Sequence, residues 1–126
     1  EDYCYNPNKS LISFCKESNI PSICFPKGLK SNYKNFTEKV KPNAISIDYE
    51  VDPLWAKNNL NNICIQGGMS PKLLLKSEKQ ALEETDRYLE IFKNIPYIFN
   101  LGHGILPETN PEIIKKIVDR TKLIKR

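Results

Sequence analysis

Apolar positions along this chain switch repeatedly between helical and extended spacing. Leu11, Ile12 and Cys15 recur at helical steps behind Asn6-Pro7, an N-cap residue followed by proline at the first helical position, and the stripe ends near Asn19. Ile20 to Phe25 is a short apolar run closed by Pro26-Lys27-Gly28. Tyr33, Phe36 and Val40 return to helical spacing until Pro42 stops them. Ala44 to Asp48 predicts a second strand, and Asp52-Pro53 caps a short helix carrying Leu54 and Trp55. Asn62 to Gln66 predicts a third strand, ended by Gly67-Gly68. Ser70-Pro71 opens a further helical turn, with Ser70 in capping position. Ser77-x-x-Gln80 has the form of a capping box, and Ala81, Leu82, Tyr88, Leu89 and Phe92 line the helix behind it. Tyr97 to Leu101 predicts a fourth strand, broken by Gly102-His103-Gly104. From Asn110-Pro111 a last helix carries Ile113, Ile114, Ile117, Val118, Thr121 and Ile124 on one stripe.

The order α-β-α-β-α-β-α-β-α predicts an α/β fold of parallel strands joined by right-handed crossovers. The strand segments start near residues 22, 44, 63 and 97, and their nearly continuous apolar runs predict a sheet covered on both faces. No boundary interrupts the pattern, which predicts one domain over 1–126. Two architectures satisfy it. One is a small open, doubly wound sheet, although the GxGxxG phosphate turn is absent. The other is half of a (β/α)₈ barrel, a fold of about 250 residues. Periodicity does not separate them.

The composition, 40% hydrophobic and 27% charged over 126 residues, is that of a globular chain. No run reaches the roughly 18 apolar residues of a membrane span. The net charge of +4 comes mostly from Lys, 16 against 3 Arg, scattered beside Glu on the predicted helices. That is a solvated face, and it argues against a nucleic-acid surface built on Arg forks. Cys4, Cys15, Cys24 and Cys64 form no CxxC pair and lie far in sequence from the single histidine, so the spacing of a zinc site is missing. Cys24 and Cys64 sit in apolar runs and read as reduced core residues, in keeping with a cytosolic protein. The chain starts Glu1-Asp2, with no Met and no apolar export segment, and is expected to be a piece of something longer.

Polar residues recur where the predicted strands end: Lys27, Asp48, Gln66, Asn100 and His103. In parallel α/β folds these ends share one rim, where ligands bind, so the five are expected to converge on a pocket. His103 lies between two glycines, which permit unusual backbone conformations and close ligand approach. Its imidazole is either a group that binds a carboxylate or moves a proton near neutral pH, or an exposed loop side chain between turn residues. Asp48 is expected to hold a neighbouring side chain rather than act as an acid or base. Tyr97, Trp55 and Tyr88 read as packing residues.

Three segments resemble a known family, the uroporphyrinogen decarboxylases. Ile98 to Thr109, with its Asn100-Leu101-Gly102-His103-Gly104 core, looks like the family's closing motif. Ile47-Asp48-Tyr49 stands at its LDW site, and Ile65-Gln66-Gly67-Gly68-Met69-Ser70-Pro71 at its QGNxDP site. Order and spacing of all three fit, and the likeness runs from about Tyr3 to Arg126. Tyr49 stands for the usual Trp and stays aromatic, Gly68 for an Asn, and Ser70 for an Asp.

The resemblance implies the C-terminal half, the last four strands and helices, of a TIM (β/α)₈ barrel. It implies a cytoplasmic, cofactor-free carboxy-lyase of haem and porphyrin biosynthesis, a homodimer that turns uroporphyrinogen III into coproporphyrinogen III by removing four acetate carboxyl groups. The family's motif histidine lines the substrate cleft and maps onto His103, as a substrate-binding residue. The family's other key groups, two arginines, an aspartate, a tyrosine and a serine, lie upstream and have no counterpart here. The expected partners are therefore the substrate, an N-terminal half of the barrel and a dimer mate, with no nucleic acid and no membrane. By itself the chain is expected to be inactive and to carry no catalytic residue. Two alternatives stay open: a zinc- and cobalamin-linked methyltransferase of the same superfamily, which usually has Cys at the place of His103, and a non-catalytic half-barrel partner.

Overall fold

The computed structural model describes residues 3–123, so Ile124 of the predicted last stripe lies outside the described residues. The elements run α1 (Tyr5–Glu17), β1 (Ile23–Cys24), α2 (Tyr33–Val40), β2 (Ala44–Ile47), α3 (Pro53–Asn59), β3 (Cys64–Gly67), α4 (Glu78–Ile91), β4 (Tyr97–Ile98) and α5 (Pro111–Leu123). Short 3₁₀ turns, Lys30–Asn32 and Pro71–Leu75, precede α2 and α4.

Local chemistry explains most boundaries. Asp52 caps α3, its carboxylate accepting from Trp55 N at 2.8 Å, with Pro53 at the first helical position. Ser77 caps α4, its hydroxyl accepting from Gln80 N at 3.2 Å. Lys41 ends α2 in the left-handed conformation (φ 56°, ψ 51°), and Pro42 comes next. Two predicted caps are not used. Helix α1 starts two residues earlier than Asn6-Pro7, with Cys4 at the N-cap position, and places Pro7 inside its first turn, where a missing N–H costs no helical bond. Ser70 makes no side-chain cap, and it leads into a 3₁₀ turn.

The four strands form one parallel sheet in the order β1-β2-β3-β4. A doubly wound sheet reverses direction at a switch point. This one does not, and sequential parallel order is how neighbouring strands succeed one another in a (β/α) barrel. Right-handed crossovers that always advance the same way put the connecting helices on one side. That side is the core. The register row Cys24, Ile45, Ile65 and Tyr97 is buried, and Phe36, Ala56, Ala81, Phe92 and Ile117 pack among the buried residues with it. Tyr97 stacks on Phe92 with ring centroids 4.2 Å apart.

The other side departs from the prediction of two covered faces. Ala44 and Ser46 of β2 are buried between neighbouring strands, Cys64 and Gln66 are half-buried, and Ile23 and Ile98 on the edge strands are exposed. The apolar runs of the sequence are real, but part of their burial is not met by this chain. Strands β1 and β4 are two residues each, shorter than the predicted 20–25 and 97–101. On α1, Ile12 is buried while Leu11 and Phe14 face outward.

Candidate functional site: the carboxyl rim of the sheet

Three consecutive residues after β4 cross the carboxyl end of the whole sheet. Leu101 bridges to Met69 in the segment after β3, and Gly102 N donates to Met69 O at 2.7 Å. Gly102 lies against the backbone of Asp48 and Tyr49, after β2; a Cβ on it would meet Tyr49 N and stand 2.8 Å from the Asp48 carbonyl carbon. His103 then reaches the segment after β1, its ring meeting Phe25 edge-on with centroids 6.5 Å apart and planes at 68°. The loop thus lies across the mouth like a strap, with the exposed imidazole at its far end.

The seat beneath this loop is Asp48. It is buried, and its Oδ2 accepts from Gly28 N at 2.7 Å and from the Tyr33 hydroxyl at 2.8 Å, while Oδ1 accepts from Glu50 N at 2.9 Å. Asp48 N donates to the same Tyr33 hydroxyl at 3.2 Å. One carboxylate therefore fastens the loop after β1, the start of α2 and its own turn. Burial, and then the hydrogen bond to Asp48, push the Tyr33 hydroxyl well above the usual phenol range, so it stays a donor. The sequence reading of Asp48 as a holding group agrees with these contacts.

The five rim residues do not all converge. Gln66 lies along the sheet, its Nε2 donating to Ser46 Oγ at 3.3 Å. Asn100 turns back to accept from Leu101 N at 2.8 Å and lines a cleft of about 250 Å³ against α5 with Phe99, Ile105 and Ile114. Lys27 is exposed on the β1 loop, where its N–H donates to Phe25 O at 3.0 Å. His103 and the end of β1 are what the structure brings together. The larger cleft of about 540 Å³, lined by Lys34, Glu38, Lys41, Asn43 and Asn59, lies at the opposite, amino-terminal ends of β2 and β3. It is remote from His103, on the face that in such folds serves stability.

The two glycines beside His103 do different work. Gly102 is required by close approach, whereas Gly104 has open space and neither is among the positive-φ glycines, Gly28, Gly67 and Gly68. Tyr33 and Phe25 were not singled out as site residues by the sequence pattern. Tyr33 is indistinguishable from a core residue of α2, and Phe25 from the last residue of an apolar strand. None of Cys4, Cys15, Cys24 and Cys64 is in a disulfide, and burial, with the nearby Cys15, pushes the Cys24 thiol up. Among the described residues no three or more His, Cys, Asp or Glu are grouped to hold a metal ion.

The chain is an α/β protein with a parallel sheet that advances in one direction and gathers its loops over the carboxyl rim, the place where ligands bind in folds of this class. The match to known sequences is specific. The chain belongs to the uroporphyrinogen decarboxylase family, whose model, described as uroporphyrinogen decarboxylase (URO-D), matches residues 1–123. It is 43% identical over 124 residues to a uroporphyrinogen decarboxylase of Wolbachia sp. subsp. Brugia malayi, covering 97% of this chain and 35% of that protein. It is 40% identical to the protein of the same name from Wolbachia sp. subsp. Drosophila simulans, with 97% and 36% covered, and 36% identical to one from Cereibacter sphaeroides, with 94% and 36% covered. The chain thus spans about a third of the length of the curated relatives it matches.

Proposed function

We propose that this chain is the C-terminal half of a (β/α)₈-barrel uroporphyrinogen decarboxylase, a single structural unit over 1–126, and that His103 binds the substrate at the barrel mouth. The observation that carries this reading is the strap of Leu101, Gly102 and His103 over the carboxyl rim, built from the residues most like the family's closing motif. The chemistry suits an imidazole there. Removing a carboxyl group as carbon dioxide leaves an electron pair on carbon, which a protonated pyrrole ring of the substrate can accept. A side chain at the mouth contributes by holding a carboxylate arm in place or carrying a proton to the reacting carbon.

The uncovered side of the sheet supports the partner half. Ile23 and Phe25 on one flank and Ile98, Ile105 and Val118 on the other are exposed, and β1 and β4 are unpaired edges. Each of these side chains still has about 1 kcal/mol to gain from full burial. Four further strands, entering between the two edges, would cover them and supply the carboxylate-binding groups that the family has upstream. The complete protein would work in the cytoplasm and pair with a second copy. No helix among the described residues is long and apolar enough to cross a membrane.

The test is reconstitution. The chain, co-produced with the amino-terminal portion of the Wolbachia relative, is expected to convert uroporphyrinogen III to coproporphyrinogen III, and neither part does so alone. In that assembly His103→Ala is expected to reduce turnover at least about tenfold with the melting temperature nearly unchanged, because an exposed loop residue carries little core area. A stable assembly without decarboxylation would overturn the activity, and equal loss of activity and stability in His103→Ala would overturn the role of the imidazole.

A further inference from the structure

We propose that Phe25 is a positioning residue for His103, its ring fixing the imidazole across the mouth of the sheet; this rests on His103 meeting the substrate as proposed above. Phe25 comes directly after β1, and His103 lies beyond β4, the opposite edge strand. Neighbouring strands stand about 4.8 Å apart, so edges separated by three such steps are about 14 Å apart. The two rings nevertheless meet at 6.5 Å, because the loop after β4 carries His103 across the rim to the end of β1.

Each ring is carried by a braced backbone, and both braces run to the same turn. On the Phe25 side, Pro26 restricts the chain, Lys27 N donates to Phe25 O at 3.0 Å, and Gly28, at φ +83°, donates to Asp48 Oδ2 at 2.7 Å. On the His103 side, Gly102 presses on Asp48 and Tyr49. The Asp48–Tyr49 turn thus sets the separation of the two rings. With Phe25 on one side, the imidazole loses rotamer freedom before the substrate arrives, and its nitrogens are left to face a carboxylate arm.

His103 is the single histidine of the chain, so selective histidine labelling of this chain gives one imidazole signal, even beside an unlabelled amino-terminal portion. Phe25→Leu keeps bulk and removes the ring, and Phe25→Tyr keeps the ring. In Phe25→Leu the carbon-bound imidazole protons are expected to shift as the ring current disappears, and in Phe25→Tyr to stay near their original positions. In the reconstituted enzyme Phe25→Leu is expected to lower kcat/KM about tenfold at an unchanged melting temperature, Phe25→Tyr to restore it, and Phe25→Leu to cost nothing further when His103 is already Ala. Imidazole signals identical in wild type and Phe25→Leu would overturn the contact. Additive losses in the Phe25→Leu, His103→Ala double variant would overturn the positioning role while leaving the decarboxylase reading in place. A wild-type assembly without decarboxylation fails on the reading itself, whatever the imidazole signals show.

Discussion

A single methyl group distinguishes Gly102 from Gly104. At Gly102 it would be driven into the backbone of Asp48 and Tyr49, which cannot swing aside as a side chain can, whereas at Gly104 it would enter open space. Gly102→Ala is therefore expected to destabilise the protein by about 1–3 kcal/mol, and Gly104→Ala to stay within about 0.5 kcal/mol, as read from urea midpoints. Glycines on both sides of a histidine suggested one shared purpose, and only neighbours distant in sequence reveal that they differ. Asp48 shows the same limit. That it holds something was legible from its place after an apolar strand. That it holds Gly28, Tyr33 and Glu50 together depends on β1 and β2 lying side by side, which no local pattern encodes.

Among the elements, the helices with strong caps or stripes were the legible ones. Tyr33, Phe36 and Val40 of α2 are buried, as their spacing demands, and Asp52 and Ser77 cap as their residue types predict. Thr85 was missed on α4, because a hydroxyl breaks the apolar stripe; it is buried by donating to Ala81 O at 2.8 Å. The α4 and α5 pair separates packing from charge. Ile117 is buried in the core, while Lys116–Glu78 at 2.6 Å and Arg120–Asp86 at 3.6 Å are roughly half-exposed ion pairs. Ile117→Ala is expected to cost about 2–5 kcal/mol and Lys116→Ala less than about 1 kcal/mol, measured by thermal or urea denaturation. The tyrosines of α2 and α4 add an alkaline limit. Burial, with the Glu84 charge behind it and Arg87 opposing, pushes the Tyr88 hydroxyl up from 10.0 to about 12, where it donates to Gly68 O at 2.9 Å. The unfolded chain releases this proton first as pH rises. Stability is thus fully present below about pH 10 and declines as pH climbs from there through about 12. Tyr88→Phe is expected to flatten that decline, seen as a smaller drop in urea midpoint between about pH 9 and pH 11.

At the scale of the molecule, the open question of the sequence was direction. Right-handed crossovers were implied by alternation, but a doubly wound sheet and a barrel segment use the same crossover, and only the strand order tells them apart. The sequential order β1-β2-β3-β4 leaves one side and two edges uncovered. By itself the chain is expected to elute above its monomer mass in size-exclusion chromatography with light scattering, and Ile23→Lys with Ile98→Lys to bring it down. A stable monodisperse monomer of the unaltered chain would count against this account of the uncovered side.

The strap over the rim also has a consequence for how the molecule comes into being. The stretch that bears His103 has no shape of its own; it borrows one from turns that leave the ribosome well before it does. A short synthetic peptide copying it would be a limp string, and the imidazole takes up its post only after the earlier strands have been laid down in their proper sequence.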